Sequence, residues 1–158
     1  MSERVVNMGD SWKVLLGLDV GTVRIGVASA RHDVGIANPL TTIVNDDQVF
    51  TAIGAHMRAE QADGLVVGWP RGMDGQTTAQ TGYVEQFVTK LKAELEGVTV
   101  YLQDEALTSR QAEAELQQRG KPFRKEDVDA LAATFILQDF IEDAMTASST
   151  DAQEASHV

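Results

Sequence analysis

The stretch Val14–Val20, VLLGLDV, constrains this chain most. It is a nearly continuous apolar run, too short for a buried helix and long enough for a buried strand. It also carries one charge, Asp19. A carboxylate inside such a run is costly unless it is paired or holds a metal ion. The turn signal Gly21-Thr22 follows, then Arg24–Ala30, RIGVASA, which reads as a second strand and closes a hairpin. Positions 35–44, GIANPLTTIV, read as a third strand, and Pro39 places that strand at an edge or at a bulge.

The pattern then changes period. Residues 46–60 read as a helix with Phe50, Ile53 and Met57 on one face. Asp63–Gly68 is a short buried strand, followed by the Gly/Pro-punctuated loop WPRGMDG. Thr78–Leu95 carries Val84, Phe87, Val88, Leu91 and Leu95 at helical spacing. Val98–Leu102 alternates as a strand. Thr108 with Gln111 resembles a capping box that opens a helix ending near Gly120, with Pro122 beyond it. Lys125–Asp143 is the last helix. The order predicts an α/β domain: a mixed five-stranded sheet, three antiparallel strands then parallel ones, with helices on both faces. The expected organisation is a flexible N-terminus over 1–12, one domain over 13–143 and a disordered acidic tail over 144–158.

Bulk properties narrow the function. The 158 residues suit one domain, and a 43% hydrophobic share suits a packed core. There is no cysteine, which excludes disulfides, thiol catalysis and Cys-based zinc sites. No apolar run approaches the ~20 residues of a bilayer span and no secretory signal opens the chain, so a cytoplasmic protein is expected. The formal net charge of −11 argues against a non-specific DNA coat. It leaves room for a metal-dependent enzyme, because bound divalent ions reverse the local sign.

Three carboxylate positions carry the candidate chemistry. Asp19 reads either as a metal ligand or as a strand-end cap for the turn at Gly21-Thr22. Gln103-Asp104-Glu105 closes the last strand, and sites of open α/β sheets lie beyond strand carboxyl ends. Adjacent residues on an extended segment point to opposite faces, so one of Asp104 and Glu105 faces the site. Asp129, at about 100° per residue, lies at the centre of the arc of Ala132, Ala133, Ile136 and Phe140, a core-facing direction. Glu126 and Asp127 already serve the helix dipole from other faces, which favours ligation for Asp129. An all-oxygen cluster suits Mg²⁺ or Mn²⁺, and two ions about 4 Å apart would clamp both oxygens of a phosphodiester displacement. The loop 68–75 with Arg71 reads either as a phosphate cradle or as a plain strand-to-helix turn. Arg119, Lys121, Arg124 and Lys125 form the dense basic patch, fit either to track a nucleic-acid backbone or to balance acidic helices. Trp69 is a candidate for base stacking or for burial against its loop. His32, His56 and His157 show no ligand spacing.

These segments resemble the YqgF/RuvX family of Holliday junction resolvases, also described as pre-16S rRNA nucleases. The resemblance runs from about Val14 to Phe140 through LGLDVGTVRIGVASA, PLTTI, ADGLVVGWPRGMDGQTT, VYLQDEALTS and KEDVDALAATFIL. It implies an RNase H-like fold and hydrolysis of structured nucleic acid, either a four-way DNA junction or the 5′ end of precursor rRNA, by a two-metal-ion mechanism. It implies Asp19, Glu105 and Asp129 as the metal-binding catalytic carboxylates. Arg24 and Gly26 match the family's basic-apolar-Gly segment, and Arg24 joins Arg71 and the basic patch as an expected nucleic-acid contact. A junction substrate also implies a homodimer with two symmetric sites. The chain departs from the pattern at Val23, Ala106 and Trp69-Pro70-Arg71, which bears on substrate contacts. Two other readings compete. Asp19-Val20-Gly21-Thr22 also resembles the first phosphate loop of actin/hexokinase-like ATPases, though that fold needs a second such loop. A non-catalytic RNA- or ribosome-binding module would keep the fold without the metal.

Overall fold

The fold comes from a computed structural model that describes residues 12–70, 78–105 and 108–156, with side chains described over 110–145 of the last stretch. Five strands and four helices alternate along these residues: β1 (Val14–Val20), β2 (Arg24–Arg31), β3 (Ala37–Val44), α1 (Val49–Glu60), β4 (Gly64–Pro70), α2 (Ala79–Glu94), β5 (Val100–Glu105), α3 (Thr108–Gln118) and α4 (Lys125–Ser156). The sheet order is β3-β2-β1-β4-β5. β1–β2 and β2–β3 are antiparallel, while β1–β4 and β4–β5 are parallel. This is the mixed sheet that the element order predicts. β3 lies at an edge, and its pairing with β2 slips between Val27 and Ala28, where Ala28 faces Pro39. The proline therefore occupies both of its expected settings, because it has no N–H to contribute to a ladder.

The two-residue period of the strands divides the core into two layers. Leu16, Leu18, Val20, Ile25, Val27, Leu65 and Val67 face α1 and α2, where Val49, Ile53, Val84, Phe87, Val88 and Leu91 meet them. Leu15, Ala28, Ala30 and Val66 face the other way, onto Ala133, Ile136, Leu137 and Ile141 of α4. α3 packs on α4 instead of on the sheet, through Ala112 and Leu116 against Leu131 and Ala132.

Helix ends follow local chemistry. Thr78 and Thr81 form a reciprocal capping box at the start of α2, and the Thr81 hydroxyl also donates to the Pro70 carbonyl, tying α2 to the end of β4. At the start of α4 the Arg124 N–H donates to Asp127 Oδ2 at 2.9 Å. α1 ends on Gln61 in the left-handed region, and the segment after α3 turns at Gly120 with φ +72°. The expected capping side chain of Thr108 lies outside the described residues.

Two expected boundaries move. Trp12 is buried in the core layer beneath α4, so the flexible N-terminus expected over 1–12 does not include it. α4 continues past Asp143 to Ser156, where a disordered tail was expected. MTASSTDAQEAS contains neither Gly nor Pro, so nothing local stops a helix already nucleated by its packed half.

Candidate active site

Glycines at three positions of the α4 face of the sheet let the helix approach closely, and this brings the acidic positions together. A Cβ at Gly17 would lie 2.8 Å from Leu137 Cβ, and one at Gly68 would lie 2.6 Å from Ile136 Cδ1. Gly26 is the tightest case, since a Cβ there would lie 1.9 Å from the Asp129 carbonyl oxygen. Gly26 is the register partner of Asp19 in the β1–β2 ladder. The first turn of α4 therefore rests on the sheet directly beside Asp19, and Asp129 is delivered to it.

Asp19 shares this face with Leu15 and Gly17. Its carboxyl is pushed up to about 6, first by burial and then by the charge of Asp129. The turn after it closes without it: the Gly21 N–H bonds to the Arg24 carbonyl at 3.0 Å, Asn45 Nδ2 donates to the Gly21 carbonyl at 2.7 Å, and Gln80 Nε2 donates to the Val20 carbonyl at 3.1 Å. Burial and the charge of Asp129, with no backbone hydrogen bond beside them, set the state of the Asp19 carboxyl, which does not fit a capping role.

Glu105 ends β5. Asp104 beside it is exposed while Glu105 is half-buried, as alternation along a strand requires. The Glu105 carboxyl is pushed up to about 8, first by burial, then by a hydrogen bond with Asp139, and further by the charges of Asp139, Asp143 and Asp19. Gln103, on the same side of β5, donates from Nε2 to Asp143 Oδ2 at 2.9 Å. Asp19 thus lies within electrostatic reach of both Asp129 on α4 and Glu105, which closes β5 on the far side of β4.

Asp139 is the site residue that the sequence reading passed over. The available signal was the i, i+4 pair Asp139 and Asp143, flanking the apolar stripe of Ile136 and Phe140. That stripe meets β5, where the Tyr101 and Phe140 rings lie 5.2 Å apart.

The basic residues divide. Arg24 Nε donates to Asp129 Oδ2 at 2.5 Å, with both side chains largely buried (29% and 19% exposed). Arg119 bonds to Glu115 at 2.6 Å, one turn back along the chain. Lys121, Arg124 and Lys125 are exposed on the turn that leads into α4, next to the element carrying Asp129. Arg71 and the expected phosphate loop lie outside the described residues beyond Pro70. Trp69 turns its ring to the α1/α2 side and packs against that core, away from the carboxylates. Its position on β4 is one residue out of phase with Gly68, which faces α4.

The donor set has the chemistry of a hard-cation site. It is all oxygen, and burial leaves its negative charge poorly solvated. Among the described residues no three such side chains reach metal-binding spacing. A protein cation holds one of them instead, Arg24 on Asp129, and Asp139 lies close enough to Glu105 to raise its carboxyl.

A sheet of order β3-β2-β1-β4-β5, with its acidic residues gathered under the last helix, defines a protein of RNase H-like fold. The solved structure of Thermus thermophilus RuvC with a Holliday junction substrate shares it, with a TM-score of 0.52 at 20% identity over 85% of this chain and 96% of that one. The chain belongs to the RuvX family, described as Holliday junction resolvase, whose model matches residues 13–143. A relative from Sulfurihydrogenibium sp., by name a candidate pre-16S rRNA nuclease, is 36% identical over 129 residues, covering 81% of this chain and 89% of its own. A relative of the same name from Opitutus terrae is 39% identical over 131 residues, covering 80% and 90%.

Proposed function

We propose that this protein is a metal-dependent nuclease that hydrolyses phosphodiester bonds of structured nucleic acid in the cytoplasm. The observation that carries this reading is the placement of Asp129 beside Asp19, through the close seat of α4 on Gly26. A domain selected for stability alone would place an apolar residue there, because two neighbouring buried carboxylates oppose each other's ionisation. The family membership and the names of the relatives support the same reading.

Asp19, Glu105 and Asp129 would hold Mg²⁺ or Mn²⁺. Bound there, the metal would supply an activated water and neutralise charge on the phosphodiester. Asp19 bears on both Asp129 and Glu105, so the three carboxylates would act as one donor set, in line with a two-ion arrangement. Lys121, Arg124 and Lys125, beside the start of α4, would track the phosphate backbone and hold the strand over the carboxylates. A four-way junction would be cut by two copies of the chain acting symmetrically. Precursor rRNA would require only one.

A parallel cleavage assay tests this. Wild type and Asp19→Asn are given a four-way DNA junction and precursor rRNA, with Mg²⁺ or Mn²⁺. Cutting of either substrate by wild type alone is the expected result. Equal metal binding by both proteins, with no cleavage of either substrate, sinks the proposal. Micromolar ATP affinity would point instead to a phosphate-loop ATPase.

A further inference from the structure

Arg24 already gives Asp129 a cationic partner. It projects from the α4 face of β2, two residues before Gly26, and its Nε–H is given to Asp129 Oδ2 at 2.5 Å. Asp129 is also the carboxylate whose charge bears on Asp19. The guanidinium therefore supplies its positive charge directly to Asp129. A guanidinium does not lose its proton at any ordinary pH, so while Asp129 is ionised the pairing ends by displacement. Any metal ion that takes Asp129 must either displace Arg24 or accept a fixed positive charge beside it. Since no three carboxylates among the described residues stand at metal-binding spacing, loading the site requires side chains to turn. Asp129 is the ligand already committed to a cation.

We infer that Arg24 is an internal counter-cation that competes with the divalent metal for Asp129, and that metal loading releases its guanidinium to the phosphate backbone of the substrate. The inference rests on the nuclease reading above and assigns Arg24 a positioning role within it. The chemistry suits arginine. Its planar fork bonds carboxylate and phosphate with similar geometry, so one side chain can exchange the first for the second. Competition weakens apparent metal affinity by the fraction of molecules in which Asp129 is free. For a charge-assisted bond between partly buried groups, that factor is about tenfold.

The test is a calorimetric Mn²⁺ titration of wild type and Arg24→Gln without nucleic acid. Arg24→Gln is expected to bind Mn²⁺ about tenfold more tightly than wild type. A merely structural role predicts the opposite sign, because an unsupported Asp129 would bind more weakly. Equal or weaker Mn²⁺ binding by Arg24→Gln overturns the inference while leaving the nuclease reading intact. Absence of Mn²⁺ binding by wild type overturns the nuclease reading itself. A second measurement needs no variant: the Nε–H resonance of Arg24 is followed by NMR as Mg²⁺ is added to wild type. The resonance is expected to leave its hydrogen-bonded position at saturation. If it stays there while Mg²⁺ binds, Arg24 is not displaced and the inference fails.

Discussion

Replacing Asp19 with Asn should make the protein more stable when no metal is present. Asp19 lies in β1 between Leu18 and Val20, both buried. Its carboxyl is raised from 3.8 to about 6, by burial first and Asp129 second. Because the folded value lies above the unfolded one, the sign is the reverse of that of a salt-bridged aspartate. Below about pH 4 the group is protonated in both states and the fold carries no penalty; as pH rises through about 6 the favourable contribution is lost. At 1.36 kcal/mol per pH unit the gap corresponds to about 3 kcal/mol, and partial solvent screening brings the expectation to about 1–3 kcal/mol. Asn keeps the shape and removes the charge. Urea unfolding with a chelator should therefore show Asp19→Asn more stable than wild type by that amount near pH 8, with the gap closing towards pH 4. Adding Mn²⁺ should reverse the order, since the ion stabilises only the folded protein that binds it. A gap of the opposite sign at high pH, or one that does not vary with pH, would refute the account of Asp19 as a carboxylate kept for ligation at a cost to the fold.

Gly26→Ala should be among the most damaging small substitutions: its methyl would enter the Asp129 carbonyl at 1.9 Å. Lifting α4 should cost about 1–3 kcal/mol or more and should weaken Mn²⁺ binding; an unchanged melting temperature would contradict the close-contact argument. Asp63 caps the entry to β1, accepting the N–H groups of Lys13 at 2.5 Å and Val14 at 2.9 Å on one oxygen. Those bonds hold its carboxyl below the usual range. Asp63→Ala should therefore destabilise by about 1–2 kcal/mol at neutral pH. The difference should fade as pH drops through the depressed value of Asp63, which denaturant titrations at several pH values would follow. Asp139→Asn removes one of the groups that raise Glu105, so the Glu105 carboxyl should titrate below about 8 in a carbon-detected NMR experiment; an unmoved titration would mean that Asp139 does not act on it.

Much of the site was legible because single-element geometry decides it. The i, i+3, i+4 spacing aimed Asp129 at the core, and strand alternation separated Glu105 from Asp104. Trp69 was not legible in the same way. Strand parity put it opposite Gly68, but only the packing of α4 revealed which side of the sheet holds the carboxylates. Asp139 escaped for a related reason. It flanks the buried stripe of α4, and its meeting with Glu105 depends on how that helix crosses β5.

Sequence alone therefore determined the order of strands and helices, the small residues on the α4 face of the sheet, and the carboxylates at strand and helix ends, but not how far α4 runs. Hydrophobic period and steric size are local properties, and they are written residue by residue. Which charges face one another was decided by the tertiary structure. Arg24 and Asp129 are separated by 105 positions along the chain, and Coulomb interactions depend on distance through space. Only the docking of α4 onto Gly26 turned a charge in an apolar strand, an aspartate on a helix and an arginine after a turn into one coupled site.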